Sequence, residues 1–353
     1  MTPKRLPLVV MLVLLTWTAA ARADSTDEYI ARAMKEFHLP GVALLVVRDG
    51  QIVKAAGYGF ADIERKTPVT PETVFKIGSI SKQLIATGIM LLVQDGRLTV
   101  DDPVTRYFPD APPSWAPMRV RHLLSHTAGL VRESPAFDPM KATSDADILR
   151  ALYSLPLRFE PGSKWEYSNS GYYALADIIR IASGRPWTEF IHSRVFVPLG
   201  MNTTAPTNVT PKRAAMATGY VGTDNAGGPA PEWIALRPSG AFISTVLDLA
   251  KWDAALGGNT ILSEASRRQM WLRAPLNGSG TAPYGFGWHI GEFQDRRVIR
   301  HGGGLPGFSS FSMRFLDLPL SIVVLTNGGD VDTAGIAANV ASIQLREIAG
   351  GRN

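Results

Sequence analysis

Three short stretches of this chain hold residue types that together can break an ester or amide bond. The first is Ser79-Ile80-Ser81-Lys82, preceded by Gly78 and followed by an apolar helical run. A serine hydroxyl is a poor nucleophile until a base takes its proton. Residues i and i+3 share a helix face, so Lys82 can sit beside the Ser79 hydroxyl. Backbone N–H groups at a helix start favour a developing oxyanion, and a desolvated lysine can lose its proton near neutral pH. The second stretch is Tyr167-Ser168-Asn169. A phenol held near a lysine can relay a proton to a leaving group. The asparagine amide offers a donor for a substrate carbonyl and an acceptor for the lysine. The third is His301-Gly302-Gly303-Gly304. Its glycines allow a substrate backbone to come close, and the Gly304 N–H can donate to an oxyanion. Taken singly, each stretch also has a plain reading. These are a capping serine with a solvated lysine, an aromatic staple with Asn169 as N-cap, and a flexible turn.

The elements that must position these residues can be read from periodicity. Ile30, Ala33, Met34 and Phe37 recur at helical spacing, which predicts a helix over 26–37. Gly41 to Arg48 is a β-rich run, Asp49-Gly50 a hairpin-type turn, and Gln51 to Ala56 the return strand. A Leu-, Ile- and Met-rich helix is expected over 78–95, stopped by Gly96. The middle of the chain shows helical stretches at 145–153, 171–183 and 187–195, separated by Pro and Gly. The Pro-rich piece from Pro109 to Pro117 reads as a surface loop. Strand character returns at 298–300, 309–315 and 321–326, before a last helix over about 334–348. This order predicts an α/β (α+β) fold. Its antiparallel sheet is built from both chain ends (about 24–98 and 240–353) and flanked by helices. A mostly helical subdomain is inserted at about 99–239, and the whole of 24–353 forms a single domain.

Composition narrows the function classes. The chain has 353 residues, 45% of them hydrophobic and 19% charged, which suits a loop-bearing globular enzyme. Lys4 and Arg5, the apolar run Leu6 to Leu15, and Ala21-Arg22-Ala23 read as an export signal over 1–23. That predicts a periplasmic or secreted protein. The apolar run is too short for a stable membrane span. Loss of 1–23 would remove Lys4, Arg5 and Arg22 and no acid, taking the net charge from +5 to +2. No basic stripe is evident, so nucleic acid is not an expected partner. With zero Cys, thiol chemistry and disulfides are excluded.

The three stretches, in this order, resemble the serine β-lactamase and penicillin-binding-protein superfamily, which includes D-aminopeptidases, DD-peptidases and family VIII esterases. The family pattern is S-x-x-K, then Y-x-N, then K-T-G or H-x-G. Ser79/Lys82, Tyr167/Asn169 and His301/Gly303 match it. So do the stretches His122 to Leu130, Pro198 to Met201, Pro238 to Ala241 and Tyr284 to Trp288, and the likeness extends over nearly all of 30–330. The resemblance implies a β-lactamase/transpeptidase-like fold and a Ser79 acyl-enzyme. It also implies an oxyanion hole from the N–H groups of Ser79 and Gly304. Lys82 or Tyr167 would be the acylation base, and Tyr167 the proton donor to the leaving group. Asn169, His301, Gly302, Gly303 and Gly304 would contact substrate, with no metal or organic cofactor.

One departure bears on substrate. Where β-lactamase-type members carry Lys and Thr to hold a carboxylate, this chain has His301 and Gly302. Losing a charge-assisted hydrogen bond costs about 1.5–3 kcal/mol. The expected substrate is therefore a small ester or a peptide-like amide, with a β-lactam or D-Ala terminus the weaker alternative. Arg300 would restore the charge only if it faces the cleft. Trp233, Tyr284, Trp288 and Phe308 are candidates for an acyl pocket or for core, and Glu166 is a lesser candidate for a deacylating base. An α/β-hydrolase reading of His301 to Gly304 needs a G-x-S-x-G elbow, which the chain lacks. His122 and His126, four apart, read as structural rather than as a metal pair. A penicillin-binding-like sensor or scaffold without turnover is the non-enzymatic rival.

Overall fold

A computed structural model describes residues 24–208, 216–222, 228–233 and 236–351. The export-signal segment 1–23 lies outside them. Helix α1 (Ser25–Glu36) leads into strands β1 (Gly41–Arg48) and β2 (Gln51–Asp62) and the short strands β3 (Thr67–Pro68) and β4 (Phe75–Lys76). A 3-10 turn, Gly78–Ile80, then runs directly into helix α2 (Ser81–Gln94). The middle holds α3 (Val120–Leu124), α4 (Asp145–Arg150), α5 (Ser170–Ser183), α6 (Trp187–Ile191), α7 (Val197–Leu199) and β5 (Ala205–Pro206). The last part comprises β6 (Phe242–Ser244), α8 (Val246–Gly257), α9 (Glu264–Met270), β7 (His289–Phe293), β8 (Arg296–Leu305), β9 (Phe308–Phe315), β10 (Leu320–Thr326) and α10 (Thr333–Ala349).

The main sheet has the strand order β3-β2-β1-β10-β9-β8-β7, and its pairs are antiparallel. Both chain ends meet at its centre, where Val42 pairs with Thr326 and Val46 with Ile322. This explains why β1 is apolar at nearly every position. Val42, Leu44 and Val46 pack toward α1 and α10, while Ala43, Leu45 and Val47 pack toward α2 and the larger core. Helix α2 is buried from Ser81 to Leu92, as its all-round apolar sequence requires, between the sheet side and α5. The Pro109 to Pro117 piece is more than a surface loop. Its short 3-10 turn drives Trp115 fully inside, against Phe108 and Tyr153. The β8 strand extends well past 300 and carries His301 to Gly304 within it. Among the described residues no helix is long and apolar enough to cross a membrane.

Two glycines fix how the turn before α2 meets β8. A side chain at Gly303 would place its Cβ 2.1 Å from the Ile77 carbonyl oxygen, and one at Gly78 would come within 2.7 Å of the Gly304 nitrogen. Gly78 also has φ +49°, in the left-handed region that favours glycine. Ser310 Oγ donates to the Ile77 carbonyl at 2.9 Å, bracing the same contact from β9. By contrast, a Cβ at Gly304 meets nothing within 4 Å. Gly303→Ala should therefore cost about 1–3 kcal/mol of stability, in the range for overpacking a close contact. Gly304→Ala should unfold close to the parent. Circular-dichroism melts of the two variants check this, and equal midpoints would show that the close approach does not constrain the fold.

Candidate active site

Ser79 sits in the middle of the 3-10 turn, and neither that turn nor α2 has a side-chain cap. The serine is thus not spent on capping. The Lys82 side chain is 0% exposed, so it is not a solvated lysine either. Its Nζ lies 3.0 Å from Ser79 Oγ, 2.9 Å from Asn169 Oδ1 and 2.8 Å from the Ser239 carbonyl oxygen. The last contact comes from the 3-10 turn Pro238–Gly240, which packs against both α2 and the Ser79 turn. Burial holds the Lys82 ammonium well below the usual lysine range. The Arg237 and Arg132 cations push it the same way, and Glu133 pulls against them.

Asn169 stands just before α5 and makes no capping bond with its side chain. Its Nδ2 donates to Glu133 Oε2 at 3.0 Å, which leaves Oδ1 aimed at Lys82. Because an ionised carboxylate only accepts, Glu133 decides which way the Asn169 amide faces. Glu133 is in turn ion-paired to Arg237, whose guanidinium lies 5.1 Å from the Phe137 ring and 5.7 Å from Trp233. The loop bearing Arg132 and Glu133 is pinned by the Arg132 carbonyl, which accepts from Asn169 N at 2.7 Å.

The Tyr167 ring lies 4.8 Å from Lys82 Nζ and 5.3 Å from the Arg132 guanidinium. His126, at 4.2 Å between ring centroids, backs it. Burial raises the phenol to about 12, while the Ser79 hydroxyl, Arg132 and Arg237 pull it down. It is therefore neutral at pH 7. The backbone N of Gly304 lies against Gly78, the residue before Ser79, so β8 meets the Ser79 turn there.

His301 departs from the expectation of a substrate-facing side chain. It is 2% exposed, its Nε2 is 2.7 Å from the Tyr284 hydroxyl and its Nδ1 is 2.7 Å from its neighbour's carbonyl, Gly302 O. A carbonyl only accepts, so Nδ1 carries the proton and Nε2 accepts from Tyr284. Burial, Lys82 and His289 keep the ring well below the usual histidine range, hence uncharged. Arg300 shares its strand face with Val298, which packs in the α10 layer, and its guanidinium lies along β7 beside Gly291. It points away from the cleft. Glu166 is ion-paired to Arg158 at 2.5 Å and is not directed at Ser79. His122 Nδ1 accepts from Arg119 N, and His126 Nδ1 from Ser168 N, so both histidines tie down backbone. Tyr284, Trp288 and Phe308 are buried, whereas Trp233 is half-buried and lines a hollow with Arg237.

The structure brings Ser79, Lys82, Tyr167, Asn169 and Gly304 together. It also recruits Glu133, Arg237 and the Ser239 carbonyl, which sequence reasoning missed. Ser239 fell within a family-like stretch, but a backbone carbonyl leaves no mark in residue type. Glu133 and Arg237 are common surface residues, far apart in the chain.

Comparison with known proteins follows the same line. The family described as Beta-lactamase matches residues 26–345. The chain belongs to that family. Penicillin-binding protein 4* of Bacillus subtilis (strain 168) is 32% identical over 313 residues, covering 83% of this chain and 69% of that protein. The octameric penicillin-binding protein homologue from Pyrococcus abyssi superposes with a TM-score of 0.80 at 27% identity, covering 91% of this chain and 76% of that one. The D-amino acid amidase from Ochrobactrum anthropi SV3, solved with L-phenylalanine amide, gives 0.77 at 30% identity, covering 93% and 97%. These similarities support a hydrolase role.

The electrostatics of Lys82 can be tested directly. Arg237 depresses the lysine and Glu133 raises it. Arg237→Gln removes the depressing charge and frees Glu133 to act on Lys82, so the Lys82 pKa should rise. A 13Cε-lysine titration by NMR reads this as a midpoint moved to higher pH. An unmoved midpoint would mean that burial alone sets the value.

Proposed function

We propose that this protein is a serine hydrolase that cleaves ester or amide bonds through a Ser79 acyl-enzyme, of esterase or D-amino-acid peptidase type. The observation that carries the reading is the set of three acceptors around Lys82. Asn169 Oδ1 and the Ser239 carbonyl can only accept, so they take both N–H groups of a neutral amine. The remaining lone pair faces Ser79 Oγ. A depressed lysine so oriented takes the serine proton as Oγ attacks the carbonyl carbon. The oxyanion forms between the N–H groups of Ser79 and Gly304. Tyr167, raised to about 12, is the wrong protonation state for a base at neutral pH and the right one for a donor. It passes its proton to the departing oxygen or nitrogen and is reprotonated from Lys82. Water then attacks the acyl-enzyme carbon and gives its proton to the Lys82/Tyr167 pair, which passes it to Ser79 Oγ as the serine leaves.

The third motif separates the substrate classes. With His301 uncharged and buried, Gly302 without a side chain and Arg300 on the opposite strand face, none of these three residues offers a charge or hydroxyl to a β-lactam carboxylate. An ester, or an amide lacking that carboxylate, suits the site better. The leader-like residues 1–23 lead us to place the mature enzyme in the periplasm or outside the cell.

Ser79→Ala should abolish turnover and adduct formation with a fluorophosphonate, read by intact-mass spectrometry. Lys82→Ala should slow acylation by about 10²-fold or more. Tyr167→Phe should slow amides, with their poor leaving groups, far more than p-nitrophenyl esters, which need no proton to leave. An equal loss on both in Tyr167→Phe would move the base role to the tyrosine. Rapid hydrolysis of a chromogenic cephalosporin would overturn the ester and amide assignment. A Ser79 adduct without turnover of any ester or amide would favour a sensor.

A further inference from the structure

Near the Gly304 end of β8 lies a lysine that the proton chemistry does not use. Lys76 is the last residue of β4, three positions before Ser79, and pairs across to Ile243 of β6. Phe75 and Ile77 on either side of it turn into the core, so Lys76 faces outward. It is half-buried, and its Nζ lies 5.7 Å from the centre of the Phe308 ring. Among the described residues no carboxylate lies within ion-pair distance of it. A counter-charge acts on it from the exposed Glu232, which only partly offsets the loss of solvation that lowers the lysine's pKa.

Two adjoining hollows meet at this side chain, sharing Lys76, Pro231 and Pro306. One is walled by Trp233, Arg237, Gly240 and Leu305. The other, of 280 Å³, is walled by Thr218, Glu232 and Phe308 among others. Their position relative to Ser79 follows from the chain. Leu305 follows Gly304, Gly240 follows Ser239, and Arg237 is the partner of Glu133. The hollows therefore continue from the Gly304 side of the nucleophile. Tyr167, the proton donor to the leaving group, is walled by His126, Tyr284, His289 and His301 instead. With the leaving group on the tyrosine side, the acyl chain runs toward Lys76.

We propose that Lys76 forms an anion-binding subsite for the acyl half of the substrate, so that the enzyme favours acyl groups ending in a carboxylate. The inference rests on Ser79 being the nucleophile and Tyr167 the proton donor to the leaving group. Arg237 cannot serve in place of Lys76, because Glu133 already neutralises it. The cation absent from the third motif is thus not simply lost. A different one lies on the other rim, where it selects a different part of the substrate.

The test compares the mono-p-nitrophenyl ester of adipic acid with p-nitrophenyl hexanoate, which match in chain length and differ in the terminal carboxylate. The selectivity is the ratio of their kcat/KM values, each corrected for spontaneous hydrolysis. In Lys76→Gln this ratio should fall about tenfold, mainly through KM for the adipate ester, as expected for losing one charge-assisted contact. In Glu232→Gln it should rise, because the competing carboxylate is gone, and a folding defect cannot produce that opposite sign. An unchanged ratio in Lys76→Gln would overturn the proposal. If neither ester turns over and Ser79 takes no fluorophosphonate, the nucleophile assignment has failed. Calorimetric binding of adipate against hexanoate then reads the subsite on its own. Adipate should bind the parent about tenfold more tightly than it binds Lys76→Gln, and equal affinities would overturn the subsite as well.

Discussion

Placing the Lys82 amino group out of reach of water is the constraint to which the rest of the site answers. An isolated buried ammonium is costly, and the usual resolution is for the group to give up its proton. Here three acceptors surround Nζ, enough to hold an ammonium by hydrogen bonds alone. Two cations, Arg237 and Arg132, tilt the balance toward the free amine. The neighbourhood is therefore arranged for either protonation state: three acceptors when charged, two acceptors and one donor when neutral. A proton can arrive and leave at Nζ without leaving any buried group unpaired, which is what a base in a closed site requires.

That balance depends on groups that never touch Ser79. Glu133 orients the Asn169 amide, Arg237 holds Glu133, and Phe137 and Trp233 flank the guanidinium. On the other side, the Tyr284 hydroxyl and the His301 ring satisfy each other behind Tyr167. The sheet contributes a backbone approach rather than a side chain. Gly303 lets β8 press on the Ile77 carbonyl, and Gly78 lets the Ser79 turn lie against Gly304. A β-strand and a helix start are thereby held in close contact, as the proposed pair of oxyanion donors requires.

Much of this was legible from residue types and spacing, and the reasons differ by element. Strands β1 and β10 declared themselves because burial on both faces forces an unbroken apolar run. Helix α2 did so because its surroundings are protein on all sides. The Ser79/Lys82 pair and Tyr167/Asn169 were readable because helix geometry couples i to i+3 and because both stretches match a family pattern. Strand β8 was underestimated, since Gly302, Gly303 and Gly304 are poor strand formers whose conformation is imposed by pairing with Ser309, Ser310 and Phe311. The partner of His301 is not readable for a related reason. Residue type says a histidine can hold substrate, but whether its ring faces cleft or core depends on strand register, and here the site-side face leads to Tyr284. The Glu133–Arg237 pair was beyond reach because long-range ion pairs obey no local periodicity.

The same lysine to which we assign the base role weakens the fold. In the unfolded chain Lys82 keeps its proton up to the ordinary lysine range, whereas in the folded protein burial drives the proton off at lower pH. Between those two values unfolding takes up a proton. Stability contributed at this position therefore falls as pH falls through the window, and levels off below the folded value. The protein tolerates this because α2 is anchored by apolar burial along its length, from Leu84 to Leu92, and by Ser81 Oγ accepting from Phe242 N. An unfavourable group can be kept where its neighbours hold it in register, and the first turn of α2 has the sheet, α5 and the Pro238–Gly240 turn on three sides. That is also why a lysine with a depressed pKa can be kept at this position and not on an exposed loop. Only a site whose surroundings are fixed independently can hold a lysine against its own preference for water.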